Sequence, residues 1–424
     1  MISDDGIISF QAMKYKERIS ADRLTRLVAH FPVVVISGAR QVGKSTLIQH
    51  QYPGWDMVVF DPIVDVGNAR TDPELFLDNH PTPLILDEIQ YCPEIVPCIK
   101  RRVDRARSPG MYILTGSQQW SVIKSISESL AGRAVFLDLE GFSLSEICES
   151  NASPSWLERY LDAPADFVTA DHHPRLPLKE TLYERLWRGW LPGTDPLPAD
   201  LTEDYFAAYM RTYVERDVRL LLDVDDWQQF GRFVQMAAAL SSQEVNYSHL
   251  GREIGVTPQT ARRWLAVLKA TFQWYETPAY HGNSIKRITS KPKGYFADTG
   301  LACHLARIST PNALGGHPMS GALFETAVFS EIRKLMLPLA RKAQVHHWRA
   351  HSGSEVDLLL ERDGMLYPIE VKMGTRPSRN DTRGIQSLRT TYPAIQMAPG
   401  LVIGPVERFE RLSEFDYAAP WDMI

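Results

Sequence analysis

The stretch GARQVGKS, Gly38 to Ser45, constrains this chain more than any other eight residues. It fits the pattern GxxxxGK[ST]: two glycines let backbone amides wrap phosphates, a lysine reaches the β- and γ-phosphates, and a hydroxyl ligates magnesium. Gly38, Ala39, Arg40, Gln41, Val42, Gly43, Lys44, Ser45 and Thr46 are therefore the candidate nucleotide-binding residues. The apolar run VVVIS (33–37) precedes the loop and the helical run STLIQH follows it, so a helix N-terminus points its positive dipole end at the anion.

Around this unit, residues 1–150 alternate strand-like runs with helical stretches, which predicts an α/β fold with a parallel sheet covered on both faces. The further strands are MVVF (57–60), LILDE (84–88), YILTG (112–116) and AVFLDL (134–139). Asp87 and Glu88 end their run, at the carboxyl edge of the sheet where ligands bind. Asp87 is expected to hold magnesium through water, and Glu88 to polarise the attacking water. Ser117, or Gln118 beside it, is the candidate γ-phosphate sensor. Arg133, in SESLAGR (127–133), is a candidate for stabilising transition-state charge in cis or across a subunit interface, with a structural ion pair as its alternative. Arg216 and Arg219 are weaker candidates for the same role. In this order the pieces resemble the AAA-type P-loop ATPases of the additional-strand-catalytic-glutamate class. That resemblance implies ATP and Mg2+, and a homo-oligomer if an arginine acts in trans.

At 424 residues the chain has room for two to four domains. A net charge of −5 argues against a uniformly basic surface but leaves room for a local basic patch. The four cysteines form no CxxC pair, which fits reduced thiols. No apolar run approaches a membrane span, and the N-terminus carries acids where a signal peptide needs basic residues, so a cytoplasmic protein with no membrane partner is expected. Composition divides the chain into an ATPase domain (1–150), a proline-punctuated connector with short helices (151–202), a helical domain (203–305) and a C-terminal domain (306–424).

Residues 249–272, HLGREIGVTPQTARRWLAVLKATF, have the rhythm of a helix-turn-helix. Gly255-Val256 makes the turn, Thr257 caps a second helix, and Pro258 takes its first position. Gln259, Thr260, Arg262 and Arg263 are then left at the helix start, where a recognition helix meets bases and phosphates. Lys286, Arg287, Lys291 and Lys293 read as a basic wing. A winged helix serves DNA contact or protein contact, and both readings stay open here.

In the last domain, the helix 321–337 carries Glu325 on one stripe with Phe329, Ile332 and Met336, which turns its carboxylate inward. EVDLLLERDGMLYPIEVK (355–372) reads as two strands joined by an Asp363-Gly364 turn, with Pro368 suggesting an edge or irregular strand. One glutamate before two strands carrying Asp357 and Glu370-Val371-Lys372 is similar to the PD-(D/E)XK nuclease family, whose fold is of the restriction-endonuclease type. That resemblance implies Asp357 and Glu370 as metal ligands, Lys372 beside the nucleophile, and Glu325 completing the shell. A salt-bridged network without chemistry is the alternative. Across residues 31–376 the motifs GARQVGKSTL, LILDEIQ, LTGSQ, SLAGR, KPKGYFADTGLA, GALFE, SEVDLLL and PIEVK resemble a bacterial and archaeal ATP-binding family that joins an AAA-type domain to a C-terminal region with a winged helix and a nuclease-like fold. The expected function is Mg-dependent ATP hydrolysis coupled to a DNA-binding, nuclease-like C-terminal half. The alternatives are a nucleotide-dependent switch for a protein partner with a silent C-terminal fold, and an ATP-regulated endonuclease.

Overall fold

A computed structural model of the protein describes residues 14–116, 130–213, 218, 227–282, 287, 290–350 and 352–424. Ser117, Gln118, Arg216, Arg219 and Lys286 lie outside the described residues.

The first five strands, β1 (Val33–Ser37), β2 (Asp56–Val59), β3 (Leu84–Asp87), β4 (Tyr112–Gly116) and β5 (Ala134–Asp138), form a parallel sheet in the order β2-β3-β4-β1-β5. The strand β4 is thus inserted between the phosphate-loop strand and the strand ending in Asp87. Near-continuous apolar runs suit a sheet buried on both faces. Alternation then divides them: Val34, Ile36, Ile85 and Ile113 join one core, while Val33, Val35, Leu84, Leu86, Tyr112 and Leu114 join another under the helix Val96–Ala106.

The expected connector contains the short helices Trp156–Asp162, Pro164–Thr169 and Leu182–Arg188. They are tied tightly to the C-terminal domain. The Tyr160 hydroxyl donates to Pro399 O, the Tyr367 hydroxyl donates to Leu161 O, and Arg175 pairs with Asp422. Next come the helix Trp227–Ala239, the two-residue β6 (Gln243–Glu244), the helices Tyr247–Ile254 and Pro258–Ala270, and the strands β7 (Trp274–Thr277) and β8 (Lys293–Phe296), with an antiparallel sheet ordered β6-β8-β7. As the sequence predicts, the Thr257 side chain caps the last of these helices by accepting from Thr260 N.

The C-terminal sheet is mixed and ordered β13-β14-β12-β11-β10-β9. Its strands are β9 (Gln344–Arg349), β10 (Glu355–Arg362), β11 (Met365–Val371), β12 (Gly400–Gly404), β13 (Glu410–Arg411) and β14 (Asp416–Pro420). The turn between β10 and β11 falls at Asp363-Gly364, both with positive φ (53° and 81°), the geometry of a tight two-residue hairpin. Pro368 does not mark an edge. The strand β11 is interior, and its parallel ladder to β12 begins only at Ile369, one residue beyond the proline that lacks an N–H. The helix Ser320–Met336 is buried at nearly every position from Leu323 onward. One apolar cluster runs from Leu24 and Ile36 through Trp264 to Leu358 and Met423, across all the boundaries expected from composition. Among the described residues no helix is long and apolar enough to cross a membrane.

Candidate functional site

The phosphate loop leaves β1 at its carboxyl end. A Cβ on Gly38 would lie 2.1 Å from Leu139 O, so only glycine fits this position, and Gly43 turns into the helix Lys44–Gln51 with φ 90°. The buried Lys44 ammonium donates to Gly38 O at 2.9 Å and to Ala39 O at 2.8 Å. Ser45 Oγ donates to Asp87 Oδ2 at 2.7 Å, which brings together the expected hydroxyl and carboxylate of a magnesium site. These residues fit a magnesium nucleoside triphosphate. The glycine cradle has no room for a side chain, the lysine is held over the loop, and the paired oxygens are the hard donors that Mg2+ prefers.

Glu88 follows Asp87 in a left-handed conformation (φ 57°, ψ 47°), which for a non-glycine residue stores about 1–3 kcal/mol of strain, as functional positions often do. Its amide donates to Thr115 Oγ1 at 3.1 Å, and its carboxylate accepts from Gln90 Nε2. The Thr115 hydroxyl in turn donates to Asp87 Oδ1. Thr115 is thus a positioning residue that sequence reading missed; its signal was its place at the end of the inserted strand β4. Arg18 was also missed. It is buried, donates to Val42 O (2.7 Å) and Glu140 O (2.6 Å), and pairs with Glu146 at 2.9 Å, bracing the loop from behind. Nothing in the sequence around it marks that role.

Arg133 stands elsewhere. It precedes Ala134, whose β5 partner on β1 is Val33, so it lies at the sheet edge opposite the phosphate loop, a strand length of roughly 15 Å away. There it pairs with Asp104 at 2.6 Å. A role in cis does not fit this position. The ion pair with Asp104 that the sequence offered as the alternative is present.

The C-terminal carboxylates do converge. A β-bulge on β10, between Val356 and Leu359, sets Asp357 where its Oδ2 accepts from Val371 N at 2.9 Å. Lys372 Nζ lies 2.8 Å from Glu370 Oε2 and 3.4 Å from Asp357 Oδ2. Glu325 enters from the helix Ser320–Met336, facing inward as its stripe predicts. Lys293, expected on a solvated basic wing, is instead buried. Its ammonium lies 2.5 Å from Glu325 Oε1 and 3.4 Å from Asp357 Oδ1. Tyr295 OH (2.9 Å) and Ser242 Oγ (3.0 Å) also donate to Glu325.

Burial pushes the Glu325 carboxyl up to about 7, aided by Asp357 and opposed by Lys293. Burial and Asp357 together hold Glu370 well above the usual range. Burial would also raise Asp357, but Lys293, Lys372 and the Val371 amide outweigh it and pull it down. Lys293 is raised because Glu325 and Asp357 outweigh its own desolvation. Among the described residues no group of three or more histidine, cysteine or acidic side chains is disposed to hold a metal, and the Lys293 ammonium stands between Glu325 and Asp357.

Of the candidate DNA-contacting residues, Gln259, Arg262 and Arg263 are exposed at the start of the helix Pro258–Ala270. Thr260 is half-buried with its hydroxyl 2.9 Å from Thr257 Oγ1. Arg287 is turned away, pairing with Glu361 at 2.7 Å and stacking 4.2 Å from the Tyr280 ring.

Sheet order, phosphate loop and the Ser45–Asp87 pair together define a parallel-sheet P-loop NTPase-like α/β fold at the N-terminal end of the chain. Residues 30–148 match the family model described as AAA domain, while residues 179–312 and 320–424 match two models each described as a domain of unknown function (DUF8612 and DUF4143). The chain is 28% identical over 413 residues to uncharacterized proteins of Mycobacterium tuberculosis and Mycobacterium bovis, covering 97% of this chain and 85% of each relative. Similar solved structures include a Walker-type ATPase of Pyrococcus abyssi (13% identity, 72% of this chain and 97% of that one, TM-score 0.44). Another is the RuvB Holliday junction branch migration motor of Thermotoga maritima (14%, 62% and 90%, TM-score 0.30).

Proposed function

We propose that the protein is a Mg-dependent ATPase whose nucleotide cycle acts on its C-terminal half. The observation that carries this reading is the Ser45 hydroxyl 2.7 Å from Asp87, with Lys44 and Glu88 beside it. Bound Mg-ATP supplies the phosphoanhydride bond to be cleaved. Lys44 and the loop amides hold the phosphates, Ser45 and Asp87 hold the metal, Thr115 fixes the Asp87 carboxylate, and Glu88 orients the attacking water.

A physical route to the C-terminal half exists. Arg18 touches the loop at Val42 O and pairs with Glu146, the Leu144 amide donates to Glu331, and Arg333 pairs with Glu140 at 2.5 Å. Glu331 and Arg333 lie on the same helix as Glu325. We propose that the helical domain expected over residues 203–305 is a winged helix, supported by the order helix, strand, helix, helix, strand, strand among the described residues from 227 to 296. We assign DNA to its exposed Gln259, Arg262 and Arg263, and a nuclease-like fold to the C-terminal sheet.

A second reading, a nucleotide-dependent switch for a protein partner, is favoured by one observation: Arg287 is engaged with Glu361 and Lys293 is buried, which removes two cations from the expected wing. An ATP-regulated endonuclease is not favoured, because Lys293 lies among the carboxylates. The test of the ATPase reading is fluorescent-nucleotide binding by Lys44→Ala. We expect loss of at least about tenfold in affinity, since one charged contact to phosphate is worth about 1.5–3 kcal/mol. Unchanged affinity would reject the assigned site.

A further inference from the structure

We infer that Lys293 is a built-in cation: its ammonium takes the position between Glu325 and Asp357, closes the cluster to divalent metals, and joins the helix–sheet module to the C-terminal sheet. This goes beyond the proposed function, since it concerns the C-terminal cluster alone. It is also where the structure departs from the metal-ligand roles implied for Asp357 and Glu370.

The acceptor oxygens of the cluster are already engaged. Glu325 Oε1 faces Lys293 Nζ at 2.5 Å and Tyr295 OH at 2.9 Å, and Glu325 Oε2 faces Ser242 Oγ at 3.0 Å. Asp357 Oδ1 faces Lys293, and its Oδ2 takes the Val371 amide and Lys372. Glu370 Oε2 takes Lys372. A divalent ion needs several of these oxygens at about 2.0–2.6 Å, and the lysine already stands among them.

Charge points the same way. Three carboxylates in a buried site require compensation, and two ammonium groups supply most of it. Solvent does reach the cluster. A cavity of about 520 Å³ opens onto Lys293, Glu325, Ser242 and His347, with Glu244 and Glu355 among its lining, so a small ion has a route in and is excluded by occupancy rather than by access. Lys293 is carried by β8 of the helix–sheet module, while Asp357 and Glu370 lie on β10 and β11. The same ammonium therefore pins one module to the other.

The test is Mn2+ titration, read by electron paramagnetic resonance without nucleotide, on the full chain as wild type, Asp357→Asn, Lys293→Met and the double variant. Wild type and Asp357→Asn should bind Mn2+ alike. Lys293→Met should gain one site at least about tenfold tighter than any in wild type, as expected when a like charge is removed from between three acids, and the double variant should lose it. A wild-type site that disappears in Asp357→Asn would overturn the inference, as would Lys293→Met gaining none. Should Lys293→Met fail to fold, the polar, uncharged Lys293→Gln takes its place, and the comparison of wild type with Asp357→Asn still decides whether the cluster is closed. Because the readout is Mn2+ binding without ATP, its failure is separate from failure of the ATPase reading.

Discussion

Thr115 donates its hydroxyl to Asp87 Oδ1 and accepts the Glu88 amide, so one side chain sets the geometry of both acidic residues. A Thr115→Val variant keeps the shape and loses both contacts. The expected outcome is a drop in kcat of roughly tenfold with nucleotide affinity nearly unchanged, since one positioning hydrogen bond is worth about 1–1.5 kcal/mol. Equal kcat in steady-state phosphate release would remove Thr115 from the account. At this scale the phosphate loop was legible because its chemistry fixes residue types at fixed spacing: Gly38 and Lys44 have no substitutes for their roles, and only threonine could replace Ser45. Lys293 was not. A lysine within a run of Lys286, Arg287 and Lys291 reads as part of a solvated basic face, and only the packing of β8 beside the helix Ser320–Met336 shows its ammonium among acids. Arg133 stayed open between an ion pair and a catalytic role for the complementary reason. SLAGR is a local pattern, whereas its distance from the loop depends on which end of β5 it adjoins.

Elements carry the connection between the two halves, and the helix Ser320–Met336 carries most of it. Its boundaries were readable within one residue from apolar periodicity, and so was the inward aim of Glu325. Glu331, six residues further on, was not singled out. Both its oxygens accept from the Leu144 amide at 3.1 Å, with Lys334, Glu146 and Glu140 nearby. Burial pushes its carboxyl up to about 7, against the opposing pull of Lys334 and the Leu144 amide.

The folded state therefore binds that proton more tightly than the unfolded chain does. The resulting stability is fully present below the usual glutamate range and is lost as pH rises through about 7. Thermal unfolding followed by circular dichroism should show Tm falling between pH 5 and pH 8, and Glu331→Gln, neutral throughout, should show a shallower fall by a few degrees. An identical slope in the two proteins would contradict this assignment. The hairpin β10–β11 was legible from Asp363-Gly364, but the interior position of β11 was not, because the pairing of β11 with β12 joins residues about thirty apart in sequence.

On the scale of the whole molecule, composition suggested four separable segments, yet one apolar cluster crosses their boundaries. Hydrophobic patterning reports which faces are buried and not which partner buries them, so the docking of the connector helices onto the C-terminal sheet could not be read in advance. The proposed DNA-facing surface is a property of this assembled half. Binding to duplex DNA should weaken steeply with salt, and Arg262→Ala combined with Arg263→Ala should lower the slope of log K against log salt by about 2, one for each phosphate contact removed. A slope unchanged by the double substitution would favour the protein-partner reading.

Whether Ser45, Asp87 and Glu88 form a hydrolytic Mg-ATP site, as proposed, is decided by separating binding from turnover in Glu88→Gln. Glutamine keeps the shape beside Gln90 and loses the charge that polarises water. Fluorescent-nucleotide affinity should stay within about threefold of wild type, and phosphate release should be at least about a hundredfold slower, the range expected for loss of general-base assistance. Phosphate release at the wild-type rate in Glu88→Gln would contradict it.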